Sequence, residues 1–381
     1  MKTKLVIKLI EAHNSGNEDA FRDAVQALSD DEDKKGNSTT ASLLRQAYVY
    51  NVRRSMMHGN NPMASVSYMS LDAGVIPKDK DSALALLEVL TPKTTLKDVA
   101  LPTRTLNVLT KIIDEQKSQE KLIERGITPS NRLLFCGPPG CGKTLTATAL
   151  AGELGLPMAY VRLDGLISSF LGQTGANIRK VFDFAKERRI MLFLDEFDAI
   201  AKKRDDSNEL GELKRVVTTL LQNMDAMPTN VLLVAATNHH HLLDPAIWRR
   251  FNATILLESP TYEQRQQIVE QFCAEKLPEY VVDTKTATVL SEGMSGADVH
   301  EFMQTLAKNC VLEANHGEVG QKKIAEVWLT RNALLMSGSG DDYMKALYEL
   351  NTQGVPLRTL EEISGIPRST LDYRFKKEKN R

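Results

Sequence analysis

The sequence predicts an α/β chain. A parallel sheet with helices on both faces is followed by an α-helical lid, and the two are flanked by an all-α N-terminal domain and a small helical C-terminal tail. Three observations predict this. Four short apolar runs, RLLFC, AYVRLD, IMLFLD and VLLVAAT, are each separated from the next by a helix-length segment. Repeated strand–helix units of this kind pack as a parallel sheet covered on both sides. The first run leads at once into GPPGCGKT and the helical stretch LTATALAGEL, which is the strand–loop–helix context of a phosphate-binding P-loop. After Pro260 the strand-type runs stop and the pattern turns helical.

The 381 residues suffice for two or three domains, with 42% apolar and 25% charged residues. A formal net charge of -1 excludes a general polyanion binder, so any nucleic-acid contact needs a local basic cluster. The four cysteines, Cys136, Cys141, Cys273 and Cys310, show no CxxC spacing and read as free thiols of a reducing compartment. The first apolar run is too short for a signal peptide and no stretch reaches membrane-span length, so no membrane partner and a cytoplasmic address are expected.

In chain order, residues 1–93 read as a helical adaptor or assembly domain ending in a linker. Phe21, Ala24, Val25 and Leu28 follow helical spacing behind Asn17 as N-cap, and Thr40 to Met57 reads as a second helix. Residues 94–259 hold the α/β units, residues 260–336 the lid, and SGSG (Ser337 to Gly340) a flexible joint to the tail at 341–381.

Within GPPGCGKT, Gly137, Pro138, Pro139, Gly140, Cys141 and Gly142 turn backbone N–H groups inward around phosphates. Lys143 reaches the β- and γ-phosphates of ATP, and Thr144 offers its hydroxyl to Mg²⁺. The run IMLFL ends in Asp195 and Glu196 at the sheet edge where ligands sit. Asp195 is the metal carboxylate and Glu196 the residue that polarises attacking water. Asp198 is either a further partner or a solvated helix start. Asn238, after VLLVAAT, either hydrogen-bonds the γ-phosphate and the water or caps the next turn. His239 to His241 cannot all face one ion from a regular element and read as exposed loop residues rather than a zinc site. Arg249 and Arg250 read alone as surface ion pairs; beside these motifs they read as fingers reaching a neighbouring subunit's γ-phosphate.

The ordered set GPPGCGKT, SSFLGQTGANIRKVF, FLDEFDAI, VAATNHHHLLDPAIWRRF and SGAD resembles the AAA clade of the AAA+ ATPases over Thr94 to Leu335, about two thirds of the chain. The resemblance implies a P-loop AAA+ module with Walker A at Gly137–Thr144, Walker B at Asp195 and Glu196, sensor 1 at Asn238 and paired arginine fingers at Arg249 and Arg250. It places Gly296 and Ala297 near the adenosine and implies a homo-oligomer, usually a hexamer around a pore. Phe170, Leu171 and Gly172 then occupy the aromatic–apolar–glycine pore loop, although alone Phe170 and Leu171 read as core. From Ser168 to Ala176 the sequence has no charge, which suits gripping a polypeptide better than DNA. Two positions depart from the family pattern: Cys141 stands where many members have Thr, a donor of backbone N–H with a thiol open to oxidation, and Asn252 stands where Asp is common. A weaker resemblance, to bacterial AAA ATPases encoded beside a subtilisin-like protease, implies a separate protease partner.

The tail reads as a helix-turn-helix. GIP makes the turn, RSTLDYRFKK is the recognition helix with Leu371 and Phe375 inward, and Arg368, Thr370, Tyr373, Arg374 and Lys377 face DNA. A helical bundle for docking a partner fits the same residues. The expected function is an ATP-hydrolysing ring motor that remodels or unfolds a protein through a central pore, recruited to DNA or a protease. The alternative is a DNA-associated ATPase, a transposition, replication, plasmid or defence helper, that assembles on DNA with ATP.

Overall fold

The structure, a computed structural model, describes residues 76–80, 82–162, 166, 171–201, 210–313, 317–335 and 340–379, together with Ala27. The chain divides into two units, Met1–Val66 and Ser67–Arg381, and the sheet, the lid and the tail all belong to the second. The helices expected around Phe21 and over Thr40 to Met57 lie outside the described residues, as do Phe170 and Ser337 to Ser339.

Six strands, β1 (Leu87–Leu90), β2 (Arg132–Cys136), β3 (Met158–Val161), β4 (Met191–Leu194), β5 (Leu232–Thr237) and β6 (Ala253–Leu256), form one sheet in the order β1-β3-β4-β5-β2-β6. Between them run α1 (Thr103–Lys117), α2 (Gln119–Ile123), α3 (Lys143–Leu154), α4 (Leu171–Lys186), α5 (Asp198–Ala201), α6 (Leu210–Asp225) and α7 (Pro245–Trp248). The expected α/β class is the observed one. Strands β2, β4 and β5 are buried at nearly every position, which is why they read as unbroken apolar runs. On one face Leu134, Leu192, Leu194 and Leu233 pack with Ile178 and Phe182 of α4 and Val216 and Leu220 of α6. On the other, α3 packs against β5 and α1.

The sheet is mixed. β2 to β6 are parallel to their neighbours, while β1 pairs antiparallel with β3, Leu87 opposite Val161 and Leu90 opposite Met158. The helical reading of residues 1–93 therefore does not extend to Leu87–Leu90. With Leu86, Leu87, Val89 and Leu90 all buried, this segment covers an edge that would otherwise expose unpaired backbone. A second difference concerns α4, which begins at Leu171, so that Leu171 and Gly172 of the expected pore loop have helical backbone. Thr174 and Asn177 are buried on it, and the Asn177 Nδ2 donates to Asp79 Oδ1 at 2.8 Å.

The lid comprises α8 (Tyr262–Lys276), α9 (Thr284–Leu290), α10 (Gly296–Leu312) and α11 (Gln321–Leu335), with a two-stranded parallel pair, β7 (Val281–Val282) and β8 (Glu318–Val319). Three further helices, α12 (Gly340–Thr352), α13 (Leu357–Ser364) and α14 (Arg368–Lys379), do not stand apart from it. Leu347, Leu350, Leu360, Leu371 and Phe375 share one buried core with Phe272, Phe302, Leu306, Ile324 and Trp328. The tail is thus an extension of the lid. Among the described residues no helix is long and apolar enough to cross a membrane.

Candidate active site

The strand order sets β4, β5 and β2 side by side, so the residues that follow their carboxyl ends converge. After β2 comes the loop Gly137–Gly142. Gly137 (φ 152°) lies so close to Leu257 that a Cβ would fall 1.8 Å from that carbonyl oxygen. Gly142 (φ 84°) is the left-handed N-cap of α3, which directs the first N–H groups of that helix into the loop. Lys143 is buried and its Nζ donates to the carbonyl oxygens of Gly137 and Pro138 at 2.7 Å each. Burial lowers its pKa, opposed by Cys141, Asp195, Cys136 and Asp198. Burial also pushes the Cys136 thiol up to about 11, so it stays protonated beneath the loop. All four cysteines are free.

Thr144, the second residue of α3, donates its hydroxyl to Asp195 Oδ2 at 2.7 Å. Tyr160 on β3 donates to the same oxygen at 3.3 Å, and burial followed by the Asp195 charge raises its pKa, keeping the phenol a donor. The other carboxylate oxygen, Asp195 Oδ1, accepts from the Glu196 backbone N–H at 2.9 Å. Glu196 is exposed and has φ 46°, one of two described non-glycine residues in left-handed backbone. Such a residue costs on the order of 1–3 kcal/mol and persists only where its surroundings hold it. Here Phe197 N donates to Ala236 O and Ala199 N to Glu196 O, each at 2.8 Å.

Asp198 is not merely a solvated helix start. Its Oδ1 accepts from the Thr237 hydroxyl at 2.7 Å, and Thr237 in turn accepts from His239 N at 3.0 Å. This clamp ties the ends of β4 and β5 together around Asn238, whose Oδ1 is buried without a hydrogen-bond partner among the described residues. An orphaned buried amide oxygen at the mouth of a phosphate loop calls for a ligand or its water. His239 to His241 are exposed, and among the described residues no group of three or more His, Cys, Asp or Glu side chains could hold a metal. One hydroxyl and one carboxylate suit Mg²⁺, which is held by few protein oxygens plus substrate phosphates. The left-handed glycine loop, the Thr144–Asp195 oxygen pair and the orphaned Asn238 amide therefore fit MgATP.

Arg249 and Arg250 follow α7 and have different surroundings. The Arg250 guanidinium forks onto Asp225, with Nε and Nη2 each 3.2 Å from a carboxylate oxygen, and Nη1 donates to Ala246 O. Arg249 is exposed and its side chain has no partner among the described residues. Asn252, from which the sequence yields nothing, accepts on Oδ1 from the N–H groups of Asn131 and Arg132 at 3.2 and 3.0 Å. It anchors the arginine segment to the start of β2.

The lid reaches the loop through the N-terminus of α10. Ala297 N donates to Gly140 O at 3.0 Å, and Gly296 lies against the same carbonyl. Ser295 caps α10 in a reciprocal box with Asp298. Arg331 of α11 donates to Asp298 Oδ1 at 2.7 Å and to Glu301 at 3.3 Å. The Ser295 hydroxyl and then Arg331 hold the Asp298 carboxyl below its usual range. The structure thus brings together Gly137–Thr144, Asp195, Glu196, Asn238, Gly296 and Ala297. Of the expected pore loop, Leu171 and Gly172 are described only as backbone, in the first turn of α4. Tyr160, Thr237 and Arg331 have no motif that singles them out; Asp198 stands in the sequence as a candidate further partner, and Asn252 only as a departure from the family pattern.

Residues 133–259 match the family model described as ATPase family associated with various cellular activities (AAA). The chain is 36% identical over 312 residues to the uncharacterized AAA family ATPase y4kL of Sinorhizobium fredii (strain NBRC 101917 / NGR234), covering 81% of this chain and 89% of that relative. It is 35% identical over 234 residues to a proteasome-activating nucleotidase of Thermococcus kodakarensis (strain ATCC BAA-918 / JCM 12380 / KOD1), covering 59% of each. With a single such module followed by helices that extend its lid, the chain belongs to the AAA family of ATPases.

Proposed function

We propose that the chain is an ATP-hydrolysing motor that assembles as a homo-oligomeric ring, with a hexamer the expected size, and remodels a protein. The observation that carries the hydrolytic part is the meeting of Thr144, Asp195, Glu196 and Asn238 at the carboxyl ends of adjacent strands. Lys143 and the loop amides would hold the phosphates, and Thr144 and Asp195 would hold Mg²⁺, which would supply neutralisation of the phosphate charge. Glu196 takes the proton of the attacking water, and the Asn238 amide orients that water. Arg249, exposed and without a partner among the described residues, serves a neighbour's site, so the site is complete only in an assembly.

Two points support a protein as the object of the motor. One relative is named for activating the proteasome. The segment Ser168 to Ala176, which leads into and opens α4, carries no charge. The test is Glu196→Gln. This variant should bind ATP normally, lose about 10²–10⁴-fold in turnover and remain assembled in ATP by light scattering. Wild-type turnover should rise with an unfolded protein. Normal turnover in the variant rejects the role of Glu196, and a wild type stimulated by duplex DNA but by no protein rejects remodelling.

A further inference from the structure

α13 and α14 have the geometry of a helix-turn-helix, and several contacts set it. Gly365 (φ 70°) ends α13 in left-handed backbone. Ser364 Oγ donates to Leu360 O at 2.6 Å and accepts from Ile366 N at 3.2 Å, fixing the turn. Across it Glu361 receives the Arg368 backbone N–H at 3.2 Å and the Arg368 guanidinium at 2.7 Å. Arg368, expected to touch DNA, is therefore a brace of the turn. Leu371 and Phe375 are buried against α12 and α13, and the Phe375 ring meets Tyr348 edge-on at 5.4 Å.

The opposite face of α14 is exposed and carries Thr370, Tyr373, Arg374 and Lys377, with Tyr373 71% accessible. Arg368 to Lys379 holds five basic residues against Asp372 and Glu378, in a chain whose net charge is -1. Asp372 is taken by Lys376 at 2.7 Å. Arg374 and Lys377 have no carboxylate partner among the described residues. A helix seated on the lid core by Leu371 and Phe375, with uncompensated cations and an exposed aromatic on its outer face, matches a polyanionic groove and not an apolar protein surface.

We propose that α14 is a duplex-DNA-binding recognition helix, lying in the major groove with Thr370 and Tyr373 toward base edges and Arg374 and Lys377 toward phosphates. This goes beyond the ATPase reading and does not rest on it. The lid core that α12 to α14 share makes the site a fixed part of the lid.

The experiment is fluorescence anisotropy of the full-length chain with a labelled mixed-sequence DNA duplex, titrated across salt. Binding should fall linearly in log–log form with salt. Arg374→Ala and Lys377→Ala should each weaken it and reduce the slope by about 1. Both side chains are exposed, so basal ATP turnover of these variants should match wild type, which separates loss of DNA binding from loss of the motor. No binding at low salt overturns the proposal. So does binding unchanged in the double variant, which would leave α14 as a protein dock. Equal affinity for a single strand of the same length overturns the major-groove assignment.

Discussion

Arg249 and Arg250 are identical in chemistry and adjacent in sequence, so only their surroundings can separate their roles. Arg250 spends its fork on Asp225 and its remaining donor on Ala246, bracing α7 against α6. Arg249 is exposed and has no side-chain partner among the described residues. Arg249→Ala should lose about 10³–10⁵ in turnover, the usual worth of an arginine finger, with an unchanged melting temperature. Arg250→Ala should lower the melting temperature and reduce turnover less. Turnover and thermal melts of both variants decide this, and equal melts with equal turnover losses would make both of them fingers. Residue-scale legibility follows the same division. Lys143, Thr144, Asp195 and Glu196 are legible because phosphate and Mg²⁺ chemistry demands those residue types at that spacing. Tyr160, Thr237 and Asn252 are not, because each acts through a partner distant in sequence: Asn252 Oδ1 meets the N–H of Asn131 across the sheet. The left-handed backbone of Glu196 is likewise invisible in a sequence, since nothing about Glu announces φ 46°.

At the scale of elements, the contact between the phosphate loop and α10 joins the two halves of the site. Gly140 (φ 76°) has no room for a side chain: a Cβ would stand 2.4 Å from Ser295 Oγ. That hydroxyl is committed to Asp298 Oδ2 at 2.6 Å, so it cannot retreat without breaking the cap of α10. Gly140→Ala should therefore displace the α10 N-terminus and weaken nucleotide binding about tenfold or more, from left-handed strain of roughly 1–2 kcal/mol plus the clash. Gly126→Ala is the control. It shares a positive φ (73°) but meets nothing within 4 Å, so it should cost stability and leave nucleotide affinity unchanged. Titration of a fluorescent ATP analogue against both variants reads the difference, and equal affinities would show that the lid contact does not matter. Element by element, the sequence is most legible where the apolar runs are long and local. β2, β4 and β5 announce themselves because burial on both faces leaves polar residues only at their ends, Arg132 of β2 and Thr237 of β5. β1 does not, because LEVL is four residues long and its partner β3 lies some seventy residues away. The start of α4 is missed because Leu171 and Gly172 read as part of a loop although the backbone there is helical.

At the scale of the molecule, the lid is more than a cover. SGSG suggests a flexible joint, yet Gly340 already starts α12, and Leu347, Leu350, Leu360 and Phe375 complete the core begun by Phe302 and Trp328. Local sequence cannot reveal this, because apolar residues of a helical bundle do not say which bundle they fill. The consequence is a continuous physical path. Gly140 touches Ala297, Asp298 one residue on is gripped by Arg331 of α11, and α11 packs on α12 and α13, which seat α14. If α14 binds a duplex, a lid that sits differently with nucleotide presents α14 differently, and linkage makes the effect reciprocal. Duplex DNA should then change ATP affinity by the same factor as ATP changes DNA affinity, within the usual range of about 5–150-fold for coupled sites. Arg331→Lys keeps the charge but loses the planar fork that holds Asp298 and Glu301 together. It should bring that factor toward one while each ligand alone still binds. The measurement is a pair of titrations, nucleotide with and without duplex and duplex with and without nucleotide, on wild type and on the variant. A wild-type factor of one would show that the shared core transmits nothing. A factor unchanged in Arg331→Lys would move the connection from the Asp298 clamp to the apolar packing around Trp328.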